Sequence, residues 1–179
     1  MGIERIIGNA NRNFTLDASA TTTALDWLID DIDGTGPMDG VNDGKVATIE
    51  FVNFKTLIGG SGADSFTLNK DFTGTVRGAG GDDSFTFNAN FSGTAEGASG
   101  SDIFFINSQI TGSLQGGDDA DRFVFSANGR IASNGSANAG GGADSVGRTV
   151  RVVDNMEVGK PRNLVQHKDN PKRRWVIYA

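Results

Sequence analysis

Four stretches repeat one pattern: Gly59-Gly60-Ser61-Gly62-Ala63-Asp64-Ser65-Phe66, Gly78-Ala79-Gly80-Gly81-Asp82-Asp83-Ser84-Phe85, Gly97-Ala98-Ser99-Gly100-Ser101-Asp102-Ile103-Phe104 and Gly116-Gly117-Asp118-Asp119-Ala120-Asp121-Arg122-Phe123. The shared Asp falls at 64, 83, 102 and 121, a constant step of 19. A weaker fifth copy, Gly140-Gly141-Gly142-Ala143-Asp144-Ser145-Val146, follows after a step of 23. A unit this short cannot enclose a core of its own and must bury its apolar face against its neighbours. After each Gly turn come two alternating runs, such as Phe85-Thr86-Phe87 and Phe91-Ser92-Gly93-Thr94-Ala95. Period-two alternation with aromatic and β-branched residues predicts short half-buried strands. Two strands and two turns per unit describe one coil of a right-handed parallel β-solenoid, a β-roll or β-helix. Coils would stack at the inter-strand spacing of about 4.8 Å. The inward columns would be Phe66, Phe85, Phe104 and Phe123 beside Leu68, Phe87, Ile106 and Phe125. Gly74, Gly93 and Gly112 would point inward where the tube is too narrow for a side chain.

Stacking also sets Asp64, Asp83, Asp102 and Asp121 in one column along an edge, joined by Asp82, Asp118 and Asp119. Carboxylates about 5 Å apart repel by roughly 1–3 kcal/mol at effective dielectrics of 80 to 20. Gly turns offer carbonyl oxygens beside them, and carboxylate plus carbonyl is the ligand set of a hard cation such as Ca²⁺. The competing reading is an Asp that bonds nearby backbone N–H groups, as Asp commonly does in turns without any metal.

Gly59 to Thr67 matches every fixed position of the nonapeptide G-G-x-G-x-D-x-U-x, so the repeat region resembles the RTX, or hemolysin-type calcium-binding, repeats. The other copies depart at Ala79 and Ala98 (second Gly) and at Asp119 (third Gly). The resemblance implies a calcium-loaded β-roll of a secreted bacterial protein. Its metal ligands would be Asp64, Asp83, Asp102, Asp121 and Asp144, with backbone carbonyls of the turns. RTX coils usually carry two nonapeptides each. One motif per 19 residues would leave metal on one edge at most.

The rest of the chain divides around this region. Residues 1–53 hold a degenerate first repeat: Ile3 to Leu16 lines up with Phe54 to Leu68, with Asn13 in place of Asp. Strands are expected at Leu25–Ile29 and Val46–Phe51, separated by an Asp-rich loop, Asp30 to Gly44, that lacks the twelfth-position Glu of an EF-hand. This 51-residue unit resembles modules of very large bacterial surface and adhesin-like proteins. Residues 54–148 are the repeats, with a slipped register after Ser126. Residues 149–179 are basic, and the strand-like Arg174-Trp175-Val176-Ile177-Tyr178 is expected to cover the open end of the solenoid. A docking or export segment is the alternative.

The net charge is −6, with no Cys and a single His, His167. An acidic body argues against nucleic acid as a partner. No apolar run is long enough to span a membrane. No Ser/His/Asp or zinc arrangement can be built, and the chain is expected not to be an enzyme. The leading expectation is a calcium-stiffened structural module of a secreted or cell-surface bacterial adhesin-like protein, with carbohydrate or another cell-surface ligand as a partner. The alternatives are a noncatalytic calcium-binding carrier module of an extracellular polysaccharide-modifying enzyme, or an ice-binding solenoid. The last would use the outward rows Thr73, Ser92, Thr111 and Thr75, Thr94, Ser113.

Overall fold

A computed structural model describes residues 5–7, 13–30, 42–148, 164–166 and 175–177. No helix occurs among them, so none is long and apolar enough to cross a membrane. The strands before the repeats are β1 (Arg5–Ile7), β2 (Thr15–Asp17), β3 (Asp26–Ile29), β4 (Gly44–Val46), β5 (Ile49–Val52) and β6 (Thr56–Ile58). The repeats contain β7 (Ser65–Leu68), β8 (Phe72–Gly80), β9 (Ser84–Phe87), β10 (Phe91–Ser99), β11 (Ile103–Ile106), β12 (Gln109–Ile110), β13 (Ser113–Gly117) and β14 (Arg122–Phe125). After them come β15 (Arg130–Ile131), β16 (Ser136–Gly140), β17 (Ser145–Arg148), β18 (Leu164–Gln166) and β19 (Trp175–Ile177).

The chain is a parallel β-solenoid with two long sheets. One runs β1-β5-β4-β3-β7-β9-β11-β14-β17 and the other β2-β6-β8-β10-β12-β15, with β13 and β16 continuing beside β10. The register is that of the repeat: Phe66 pairs with Phe85, Phe85 with Phe104 and Phe104 with Phe123. Their rings form a ladder inside the tube, with centroids 5.1, 4.6 and 4.6 Å apart and planes within 9° of parallel. Trp27 adds a fifth ring at 5.4 Å from Phe66. Leu68, Phe87 and Ile106 fill the second column, and Phe72, Phe91 and Ile110 close the core from the opposite sheet. Each of these side chains excludes water by leaning on its equivalents one coil away, which is how a unit of 19 residues acquires a core.

Three expectations change in detail. The residues Val46 to Phe51 form a hairpin and not one strand: Val46 pairs antiparallel with Ile49, and Ala47 turns the chain at φ +50°. The hairpin inserts β4 and β5 between β3 and β1, so Asp26 pairs with Ser65, a step of 39. The first repeat is not in the expected alignment either. Thr15 pairs with Thr56 across β2 and β6, while Phe66 follows Trp27 in the other sheet. The hairpin consumes chain that the 51-residue alignment counted as equivalent. Finally, what forbids a side chain at Gly93 and Gly112 is the neighbouring coil and not a narrow bore. A Cβ there would lie 1.8 and 1.9 Å from the carbonyl oxygens of Gly74 and Gly93.

After Ser126 the register slips as expected. Gln109 pairs with Arg130 but Ser113 with Ser136, so the extra residues are split between two tight loops closed by Gly129 N–H on Ser126 O and Gly135 N–H on Ala132 O. Trp175–Ile177 is a strand, paired antiparallel with β18 in a separate two-stranded sheet whose β19 lies against β16. Most of the acidic loop (31–41), and residues 1–4, 8–12, 149–163, 167–174 and 178–179, lie outside the described residues.

Candidate metal centre: a buried aspartate column

The four motif aspartates stand in one column, but inside the turn and not on an exposed edge. Asp64, Asp83, Asp102 and Asp121 are each 1% exposed, whereas Asp144 is half-buried and Asp82, Asp118 and Asp119 are exposed. The reason is the first Gly of each motif. A Cβ on Gly59, Gly78, Gly97 or Gly116 would come within 2.2, 1.9, 1.9 and 2.1 Å of the Oδ2 of the Asp five residues later. Glycine leaves that volume empty, and the carboxyl group folds back into it.

Each carboxyl group then ties two coils together. The backbone N–H of Asp64 donates to Asp83 Oδ1 at 2.7 Å, that of Asp83 to Asp102 Oδ1 at 2.8 Å, and that of Asp102 to Asp121 Oδ1 at 2.9 Å. Asp121 N–H continues the series onto Asp144 Oδ1 at 3.1 Å. At the head of the column, Leu25 N–H donates to Asp64 Oδ1 at 2.7 Å. Hydrogen bonds to a carboxylate are among the stronger ones, so half of each carboxyl group is well served.

The other half is not. Oδ2 of Asp83, Asp102 and Asp121 is buried without a hydrogen-bond partner. Asp102 Oδ2 and Gly116 O both lie within 2.7 Å of the point a Cβ on Gly97 would occupy; Asp121 Oδ2 and Ala139 O lie within 2.5 Å of the corresponding point on Gly116. Buried oxygens facing a carbonyl, with no donor between, call for a positive charge or a proton. Burial, opposed by the accepted N–H and helped by neighbouring carboxylates, pushes Asp83 up to about 8, Asp102 to about 7 and Asp121 to about 6.

Calcium fits this site in the kind of donor. Among the described residues no three acidic or histidine side chains converge. A cation here would therefore take Oδ2 oxygens and fill the rest of its shell with turn carbonyls, as hard cations accept. The residues that would hold it are Asp83, Asp102 and Asp121.

Other polar residues follow the same period and were legible only with it in mind. Asn107 Nδ2–H donates to Asn88 Oδ1 at 2.8 Å, and Asn88 Nδ2–H to Asn69 Oδ1 at 2.9 Å, one ladder at the opposite turn. Asn42 carries no sequence signal at all. It is 3% exposed, donates to Thr73 O and accepts from Thr73 N–H, standing in for a missing strand partner of β8. The hydroxyl row is longer than expected: Thr15, Thr56, Thr75, Thr94, Ser113 and Ser136 pair in unbroken register. Comparison with known proteins returned no matching family model, curated protein or solved structure.

Proposed function

We propose that the chain is a structural repeat module of a secreted or cell-surface bacterial adhesin-like protein, noncatalytic and stiffened by calcium along the Asp83–Asp102–Asp121 column. The observation that carries this reading is the set of three buried Oδ2 atoms without partners. An uncompensated buried carboxylate costs several kcal/mol, so a column of them is tolerable only with a counter-charge or a bound proton, and calcium supplies the former. Calcium is millimolar outside cells, where weak sites suffice. A ligand that binds only the folded state stabilises it by mass action. The module would be loosely held in calcium-poor surroundings and set outside the cell. The test is melting followed by circular dichroism at pH 7.5 in chelator, in millimolar Ca²⁺ and in millimolar Mg²⁺. A midpoint raised by Ca²⁺ and not by Mg²⁺ supports the reading; no movement with Ca²⁺ overturns it and leaves a proton-neutralised ladder.

Ice binding, a second reading, gains one observation: the hydroxyl row spans six strands. Against it, Thr56, Thr75, Thr94 and Ser113 are half-buried. Absence of thermal hysteresis in the calcium-loaded protein would dismiss it.

A further inference from the structure

The five motif turns are not alike, and the difference sorts the aspartates. In the later turns the second and third glycine positions of the motif are left-handed: Ala79 and Gly81 at φ +81° and +94°, Ala98 and Gly100 at +85° and +115°, Gly117 and Asp119 at +128° and +69°. Gly140 and Gly142 follow at +87° and +94°. Gly60 and Gly62, the equivalent pair in the first turn, are not in that region. The cause is what each turn rests on. Later turns stack on a turn of their own kind. The first rests on the non-repetitive segment Thr21–Ala24, with Ser61 N–H on Thr21 O at 2.9 Å and no room for a Cβ on Gly60 beside Thr21.

The consequence falls on the carboxyl group. In the first turn Gly60 N–H donates to Asp64 Oδ2 at 2.7 Å. With Leu25 N–H on Oδ1, both oxygens of Asp64 hold a backbone donor. No such donor reaches Oδ2 of Asp83, Asp102 or Asp121, which are as deeply buried. Asp144 is half-buried at the last of the five turns and has no orphaned buried oxygen among those described.

We infer that calcium takes the Oδ2 oxygens of Asp83, Asp102 and Asp121 and passes over Asp64, whose charge is already compensated by two backbone N–H groups. The matched nonapeptide with all its glycines is thus a turn that does not bind, and the three copies after it, each departing from the motif, are the ones that do. This inference rests on the calcium reading above and fails separately from it.

Bound calcium is counted by equilibrium dialysis and elemental analysis on the full chain, with folding checked by circular dichroism. Asp64→Asn is expected to hold as many ions as the unaltered chain, and Asp83→Asn, Asp102→Asn and Asp121→Asn each at least one fewer. Loss of an ion in Asp64→Asn, or no loss in Asp83→Asn, overturns the assignment. An unaltered chain that binds no calcium overturns the reading beneath it. If Asp64→Asn does not fold, anomalous scattering from crystals of the unaltered chain grown in calcium decides: peaks beside Asp83, Asp102 and Asp121 support the assignment, and a peak beside Asp64 overturns it.

Discussion

Asp83, Asp102 and Asp121 each meet opposite demands on their two oxygens. Oδ1 is held by an N–H donor, which favours the anion; Oδ2 is sealed from water, which disfavours it. Desolvation wins, and the three groups sit at about 8, 7 and 6 against an ordinary 3.8. Without metal, the folded chain keeps protons that the unfolded chain releases above about pH 4. The associated stability is complete below the unfolded value and is lost as pH rises through the folded ones. The urea midpoint of the calcium-free protein is therefore expected to fall from pH 5 to pH 8, and a flat or rising profile would count against the buried column. The same turns carry backbone strain. Ala79 and Ala98 occupy φ +81° and +85°, where a Cβ is disfavoured by about 1–2 kcal/mol. Replacement by Gly also loosens the unfolded chain, which takes back part of the gain. Ala79→Gly and Ala98→Gly should each still raise stability, by about 0.5–1 kcal/mol in urea unfolding.

At the scale of elements, the ring ladder across β7, β9, β11 and β14 holds four of the largest fully buried side chains, Phe66, Phe85, Phe104 and Phe123. Phe85 and Phe104 are fully buried and stacked at 4.6 Å. Phe→Ala at either should cost about 3–5 kcal/mol, a large share of a marginal stability. Thr67 and Thr86, on the other side of the same strands, should accept Ala at a cost of about 1 kcal/mol or less. Equal sensitivity at both kinds of position would contradict the two-faced strand. These columns were legible because an exact period and strict alternation over-determine the register. The β4–β5 hairpin was not, because its turn residues Ala47 and Thr48 include none of the Gly, Asn or Asp that announce such turns. The depth of the Asp column was also hidden. Gly-x-Asp spacing says that a carboxyl group is near a bare backbone, but not that it lies back over Gly78 or Gly97 instead of facing water.

The whole molecule behaves as a one-dimensional stack, so its ends and its axis pose different problems. The last coil presents β16 to the β18–β19 hairpin. Removing residues 160–179 takes that hairpin away and should leave strand edge open to pairing. Self-association seen by light scattering is the expected result; an unchanged, equally stable monomer would mean that the hairpin is not a cap. Along the axis, the coils are joined by carboxyl groups whose second oxygen needs a positive partner. Asp102→Asn tests this most directly, since it keeps Oδ1 for the Asp83 N–H and puts an N–H₂ donor where Oδ2 faces the Gly116 carbonyl. In chelator at pH 8 the variant should melt higher than the unaltered chain, by about 2–4 °C for each kcal/mol of relieved charge, and respond less to calcium. A lower midpoint, or an undiminished calcium response, would contradict the account.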